Sequence, residues 1–103
     1  MWFDESVFYQ IYPLGMCGAP AHNDGVTQSR ILRVEGWVGH LKKLGVGAVY
    51  FSPVFESDAH GYDTRDYSKI DCRLGTNADF ARVCAALHGA GIRVVLGILL
   101  YLL

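Results

Sequence analysis

The apolar residues of this chain alternate between the spacing of a strand and the spacing of a helix. Residues 7–12 are β-branched and aromatic and end at a proline, and 46–51 and 92–100 are near-continuous apolar runs, as in strands buried on both faces. Residues 29–44 and 76–89 instead carry apolar residues at i, i+3, i+4 and i+7, the spacing of a helix with one buried face. This strand–helix–strand–helix–strand order predicts an α/β fold with a parallel sheet and right-handed crossovers.

Local signals fix the expected ends of the two helices. Gly45 follows the first helix as its C′ residue, and Thr76 with Asp79 three residues later forms a variant of the capping box for the second. Trp37 lies on the apolar stripe of the first helix, so we expect it in the core. The segments 14–28 and 54–74 are predicted to be long loops, because neither shows a sustained period.

Both long loops follow the carboxyl ends of strands, which is where a (β/α)₈ barrel carries its active site. A complete barrel needs about 250 residues, so a chain of 103 residues with three strands predicts a partial barrel. The three strands are expected in the order one-two-three, with both helices on one face. A doubly wound sheet is the alternative, although no Gly-x-Gly-x-x-Gly follows the first strand.

The composition excludes several classes of protein. With 51% hydrophobic and 18% charged residues, the chain has the opposite balance to a disordered one. A net charge of −1 leaves no basic stripe for nucleic acid. The N-terminus lacks the basic region of a signal peptide, and the longest apolar stretch is about half of a membrane span. We therefore expect a cytoplasmic protein with no nucleic-acid or membrane partner.

The sequence predicts no metal and no cofactor. The cysteines Cys17, Cys72 and Cys84 are odd in number and show no Cys-x-x-Cys spacing, so reduced thiols are expected rather than disulfides or a zinc site. The segment 22–24 (HND) offers oxygen ligands, but calcium requires six to eight of them, and a plain turn is the preferred interpretation.

The segment 60–67 (HGYDTRDY) carries the most informative chemistry. Tyr62 offers a flat ring, and His60 and Asp63 offer hydrogen-bonding groups, which together suit a sugar with one apolar face and many hydroxyls. The alternative is a structural loop, in which Asp63 and Asp66 accept hydrogen bonds from backbone amides and Arg65 forms an ion pair. The residues alone leave both interpretations open.

A set of ordered motifs resembles the start of the α-amylase family, glycoside hydrolase family 13, and in particular its cyclomaltodextrinase, neopullulanase and maltogenic amylase group. The motifs are 9–13 (YQIYP), 41–46 (LKKLGV), 49–55 (VYFSPVF), 60–67 (HGYDTRDY) and 91–96 (GIRVVL).

The resemblance implies a (β/α)₈ barrel that cleaves α-glucosidic bonds with retention, and an α-glucan or maltooligosaccharide as substrate. Residues 1–103 would form the N-terminal part of that barrel. By resemblance Tyr62 stacks under the sugar at the cleavage point, His60 lies beside it, and Asp63 bonds sugar hydroxyls. Tyr12 lies near the barrel mouth without an assigned role.

Residues 97–103 depart from the family pattern, in which an Asp-x-x-x-Asn-His sequence follows the third strand; Gly97 stands in place of its aspartate. The catalytic carboxylates follow later strands of the family, so no catalytic residue is assigned and the chain alone is expected to be inactive. Alternatives are a non-catalytic carbohydrate-binding or interaction module and a non-functional gene fragment. The open face of the sheet predicts self-association.

Overall fold

A computed structural model describes residues 6–97. The strands are β1 (Phe8–Ile11), β2 (Ala48–Phe51), β3 (Phe55–Ser57), β4 (Thr64–Ile70) and β5 (Arg93–Leu96). The α-helices are α1 (Pro13–Met16), α2 (Val38–Lys43) and α3 (Asn77–Gly89), and a 3₁₀ helix (Arg30–Trp37) leads directly into α2. No helix in this described part is long and apolar enough to cross a membrane. The last residues of the third predicted strand, 98–100, and most of the tail lie outside the described residues.

Three parallel strands form a sheet in the order β1-β2-β5, as the sequence predicts. Tyr9 lies opposite Val49, and Val49 lies opposite Val94. The 3₁₀ helix with α2 connects β1 to β2, and α3 lies between β2 and β5 along the chain. Because α3 packs against the 3₁₀ helix, the two helical segments share one side of the sheet. Within residues 6–97 the sheet is open, with β1 and β5 as its edges.

The core lies between this sheet and the helices. Phe51 of β2 meets the ring of Phe80 on α3 edge to face, with centroids 5.6 Å apart. Full burial of one large apolar side chain contributes about 1.5–3 kcal/mol, so the core is the main source of stability here. Its fully buried members include Ile31, Val34, Leu41, Val49, Phe51, Val83 and Leu87.

The capping signals are confirmed. The backbone N–H of Asp79 donates to Thr76 Oγ1 at 3.1 Å, and the backbone N–H of Thr76 donates to Asp79 Oδ2 at 3.0 Å. This reciprocal pair satisfies two donors at the start of α3. Gly45 has a φ of +75°, the left-handed conformation that a C′ glycine adopts readily.

The expectation for Trp37 was wrong. Its side chain is 41% exposed, and its ring meets His40 edge-on with centroids 5.8 Å apart. The segment changes from 3₁₀ to α geometry at Val38. Since the two helix types have 3.0 and 3.6 residues per turn, a single period applied across the junction places side chains on the wrong face.

The expectation of two long loops was also wrong in part. Pro13 starts the single turn α1, a position that suits its fixed φ. Within 54–74, β3 and β4 form a two-stranded antiparallel sheet that pairs Phe55 with Ile70 and Ser57 with Thr64. Of the β4 residues, only Ile70 is buried. A strand this polar has no apolar alternation from which to recognise it.

Candidate functional site

The three predicted sugar-binding residues lie in the turn that joins β3 to β4. This turn reaches the carboxyl end of β1, where the Tyr12 hydroxyl donates to the carbonyl oxygen of His60 at 3.0 Å. Gly61 is buried and has a φ of +99°. A Cβ at Gly61 would lie 3.2 Å from the Pro53 carbonyl oxygen, so glycine allows the turn to sit close to the chain that follows β2.

Asp63 organises the turn through its carboxylate. The backbone N–H of Ala59 donates to Oδ2 at 2.9 Å, and that of Gly61 donates to Oδ1 at 3.1 Å. Desolvation acts to raise the pKa of Asp63, but these donors and the neighbouring His60 outweigh it, so the pKa lies below its ordinary value. A carboxylate has about four lone-pair positions, so Asp63 retains acceptor capacity for a ligand, and its side chain is 30% exposed.

His60 and Tyr62 form an exposed aromatic surface. Their ring centroids are 6.2 Å apart and their planes are inclined by 35°. The backbone N–H of Tyr62 donates to His60 Nδ1 at 3.1 Å. The Tyr62 residue is 40% exposed and the His60 side chain 62% exposed. The turn therefore presents two rings and one carboxylate within a few residues.

The contacts of the structural interpretation are present as well. Arg65 pairs with Asp58 at 3.0 Å and with Glu56 at 3.6 Å. Asp66 accepts from the backbone N–H and the hydroxyl of Ser68 at 2.9 and 2.6 Å. The Arg65–Glu56 pair joins β4 to β3, and the bonds of Asp66 lie within β4. Arg65 and Asp66 are therefore engaged in contacts of these strands, whereas His60, Tyr62 and Asp63 also face outward.

A buried ion pair beneath the turn was missed by the sequence reasoning. Arg73 Nε and Nη2 donate to the two oxygens of Asp71 at 2.9 Å each, and both side chains are at most 1% exposed. Arg73 also donates to Ser57 Oγ at 3.1 Å and to the Pro20 carbonyl at 2.8 Å. The available signal was two charged residues within the otherwise apolar run 70–74.

Among residues 6–97, Glu56, Asp71 and Cys72 place potential metal-ligand atoms within 4.8 Å of one another. Cations of the protein already neutralise these carboxylates, since Lys69 Nζ lies 2.6 Å from Glu56 and Arg73 holds Asp71. Burial raises the pKa of Cys72 and so favours the thiol, which is a poor ligand. This donor set does not fit a resident metal.

The segment 22–24 forms the turn that the sequence predicts. Asn23 Oδ1 accepts from the backbone N–H of Gly25 at 2.9 Å, and Asp24 Oδ1 accepts from that of Val26 at 3.1 Å. The side chain of Asn23 also donates to Glu56 and to the Ser57 carbonyl. Asn23 Oδ1 and Asp24 Oδ1 are thus engaged within the protein. All three cysteines are free thiols.

Two open cavities flank the turn. One of about 360 Å³ is lined by charged side chains that already pair with one another, among them Glu56, Arg65 and Lys69. The other, of about 340 Å³, lies between the segment after β1 and the turn, with Tyr12 and His60 on its wall. Neither cavity is lined by Tyr62 or Asp63, so the exposed Tyr62 ring lies outside both.

The end of β5 shows how the chain accommodates Gly97. Its backbone N–H donates to the Phe51 carbonyl at 2.8 Å, which continues the parallel pairing. A Cβ at Gly97 would overlap the Tyr50 hydroxyl and lie 2.8 Å from Tyr50 Cζ. The Tyr50 side chain therefore fills the space that a side chain at position 97 would need.

Comparison with known proteins places this architecture in a family. Residues 24–100 match the family described as alpha amylase, catalytic domain. The chain is 38% identical to an oligo-1,6-glucosidase of Heyndrickxia coagulans over 97 residues, which cover 92% of the chain and 17% of that protein. It is 33% identical to a cyclomaltodextrinase of a Bacillus species, over 92% of the chain and 20% of that protein.

A solved structure agrees. The cyclic α-maltosyl-(1→6)-maltose hydrolase of Arthrobacter globiformis, in complex with maltose, superposes with a TM-score of 0.72 at 32% identity, over 92% of this chain and 25% of that one. The chain thus spans about a fifth of the length of the relatives it matches. The matched region includes β2, the turn at 58–63 and α3. By sequence and by fold, the chain belongs to the α-amylase catalytic-domain family, glycoside hydrolase family 13.

Proposed function

We propose that this chain is part of an α-glucan-acting glycoside hydrolase and that the turn at 58–63 forms one wall of its sugar site. The observation that carries the proposal is the grouping of the exposed Tyr62 ring with the partly exposed Asp63 carboxylate. The family match supports it, since relatives that share this segment are named as glucosidases and cyclomaltodextrinases.

Each of the three residues has a distinct role in the proposed wall. The Tyr62 ring stacks on the C–H face of a glucose unit, as aromatic rings do with apolar surfaces. Asp63 accepts hydrogen bonds from sugar hydroxyls on the lone pairs that Ala59 and Gly61 do not use. His60 contributes its exposed ring edge beside Tyr62. The ligand is an α-glucan or maltooligosaccharide.

The 103 residues alone, on this proposal, do not hydrolyse the glycosidic bond. Retention requires two carboxyl groups about 5–5.5 Å apart on either side of the scissile bond. Glu56 and Asp71 come within 4.8 Å of each other, but both are buried and each is neutralised by a cation of the protein. We propose that residues 1–103 form the N-terminal part of the catalytic barrel, with 97–103 departing from the family.

The binding proposal is tested by titrating the 103-residue chain with maltotriose and following its amide NMR signals. One wall buries little of a ligand compared with a complete pocket, so we expect a Kd no tighter than about 1 mM, or about −4 kcal/mol. Shifts should centre on residues 59–63. No hydrolysis of maltotriose should be detected.

Two variants give the titration its control. Tyr62→Ala removes the proposed stacking ring and should abolish the shifts. Tyr67→Ala removes a ring of similar exposure that lies in the middle of β4 and packs on Phe55, with centroids 5.9 Å apart, and should leave the shifts unchanged. Shifts that persist in Tyr62→Ala contradict the sugar wall, and turnover that copurifies with the chain contradicts the claim of inactivity.

We also propose that the chain self-associates through its three-stranded sheet. Phe8 is 44% exposed on the face opposite the helices, and β1 and β5 are open edges within the described residues. Open edges and exposed apolar surface favour pairing with another copy. Sedimentation velocity should show dimers or larger species that decrease in Phe8→Lys; a concentration-independent monomer would contradict this proposal.

A further inference from the structure

We propose that Tyr12 is a positioning residue for the sugar-binding surface, acting through the hydrogen bond from its hydroxyl to the His60 carbonyl. The relevance of this role to sugar binding rests on the proposed function of His60, Tyr62 and Asp63. The effect of Tyr12 on the conformation of the turn can be tested without a sugar. Tyr12 touches the turn and, on this proposal, not the sugar ring that stacks on Tyr62.

The position of the Tyr12 ring is restricted by β1 and α1, independently of its contact with the turn. Tyr12 directly follows β1, whose last residue, Ile11, is buried in the core. It is also the N-cap residue of α1. A Cβ on Gly15 would lie 2.8 Å from Tyr12 Cδ2, so the ring lies across α1 in space that only a glycine leaves open. The packing of the ring against α1 therefore restricts where the Tyr12 hydroxyl can lie.

The Tyr12 side chain contacts the turn through the carbonyl oxygen of His60. The Tyr12 hydroxyl donates to it at 3.0 Å across 48 residues of sequence. The next backbone N–H, that of Gly61, donates to Asp63, and that of Tyr62 donates to the imidazole of His60. The His60 carbonyl and the Gly61 N–H belong to the same peptide, so a rotation of that peptide would disturb the bond to Asp63 directly. It would also displace the adjoining 61–62 peptide, whose N–H holds the imidazole of His60.

The same arrangement fixes which hydrogen bond His60 can offer a ligand. Nδ1 accepts from the Tyr62 N–H at 3.1 Å and also lies 3.6 Å from Asp63 Oδ1. While the Tyr62 bond is kept, the neutral ring carries its proton on Nε2, and His60 presents an N–H donor that pairs with the oxygen of a sugar hydroxyl. If the turn loosens, Nδ1 loses the Tyr62 N–H and can instead carry the proton toward the Asp63 carboxylate.

The test is Tyr12→Phe, with Tyr67→Phe as the control that removes a phenol hydroxyl in the middle of β4. Tyr12 is 41% exposed and outside the core, so both variants should fold. We expect Tyr12→Phe to speed hydrogen exchange of the Tyr62 amide roughly 2–10-fold, the effect of losing one hydrogen bond. The ¹⁵N shifts of His60 should move from the Nε2–H tautomer toward a mixture. Tyr67→Phe should change neither.

Titration with maltotriose separates this inference from the proposed function. If Tyr12→Phe changes the His60 tautomer and weakens a binding event that Tyr62→Ala abolishes, both are supported. If the wild-type chain binds no maltotriose but the tautomer still changes, the positioning role holds and the sugar wall fails. If Tyr12→Phe leaves the tautomer, the exchange rate and the binding as in wild type, the positioning role is overturned.

Discussion

The two sheets of this protein are held together by opposite means. The frame, comprising β1, β2, β5 and their helices, buries apolar side chains such as Val49 and Leu41. The polar hairpin, residues 55–73, buries Glu56, Asp71 and Arg73. Arg73 pairs with Asp71, and Glu56 accepts from the side chains of Lys69 and Asn23. Among the described residues, no buried side-chain nitrogen or oxygen lacks a hydrogen-bond partner.

The difference explains how stability and function are divided. Apolar burial stabilises the fold without fixing the direction of any one contact, because the hydrophobic effect is non-directional and scales with the area removed from water. A buried ion pair fixes one geometry, because losing one partner leaves the other charge without compensation. The turn that carries Tyr62 and Asp63 joins β3 to β4 within the polar hairpin. We infer that the hairpin contributes orientation to the site, whereas the frame contributes most of the free energy of folding.

Removing Arg73 should have the largest effect. Arg73→Ala leaves the Asp71 carboxylate buried and unpaired, which costs about 3–5 kcal/mol, a large share of the stability of a small domain. The free energy of unfolding, measured by urea denaturation, should fall accordingly. Arg65→Ala is the control, since Arg65 is half exposed in its ion pairs, and should cost at most about 1 kcal/mol. Equal losses would contradict the proposed role of the buried pair.

A cavity in the frame should come next. Leu41→Ala removes a fully buried side chain, and such truncations cost about 2–5 kcal/mol. Leu44→Ala alters a residue three positions away that is 54% exposed, and should change stability by no more than about 0.5 kcal/mol. Urea denaturation of both variants measures the contrast. A comparable loss in Leu44→Ala would show that the buried stripe is assigned incorrectly.

The helix cap between the two regions should have a smaller effect. Thr76→Ala removes the acceptor for the Asp79 N–H and should lower the free energy of unfolding by about 0.5–2 kcal/mol. Thr76→Ser keeps the hydroxyl and should recover most of the loss. Thermal denaturation of the three proteins checks this. If serine restores nothing, the effect arises from packing and not from the cap.

The smallest expected effect is that of Glu56 on the free energy of unfolding at acidic pH. Burial acts to raise the pKa of Glu56, but hydrogen bonds from Lys69 and Asn23 outweigh it, so the folded pKa lies below the usual 4.5. The unfolded chain therefore takes up this proton first, and the contribution of Glu56, complete above about pH 4.5, is lost as the pH falls through the folded pKa. Glu56→Gln should flatten this part of the stability profile below pH 4.5, and an unchanged slope would contradict the assignment.

The sequence was sufficient for features set by local rules. Thr76 and Asp79 marked a helix start because capping depends on residues three apart. The order of the parallel strands followed from the alternation of apolar periods. The contacts of Arg73 could not be predicted in this way, since its partners at positions 20, 57 and 71 meet only after folding.

In the candidate site, too, the local features could be predicted from the sequence and the long-range contacts could not. His60, Tyr62 and Asp63 are candidates because their chemistry lies within four consecutive residues and because the segment resembles the family motif. The bonds from the backbone of Ala59 and Gly61 to Asp63 are also local. The contact between Tyr12 and His60 spans 48 residues, and no local sequence pattern predicts it. The β4 strand was missed because its residues are polar on both faces.

The packing of Tyr50 on Gly97 makes substitutions at these two positions interdependent. Because the ring occupies the room of a side chain at 97, a mutation from glycine to aspartate requires the Tyr50 ring to move. A smaller side chain at position 50 would remove this overlap, so the same substitution at 97 has a different effect before and after a change at position 50. The order of substitutions, and not only their identity, thus decides the stability of the intermediate sequences.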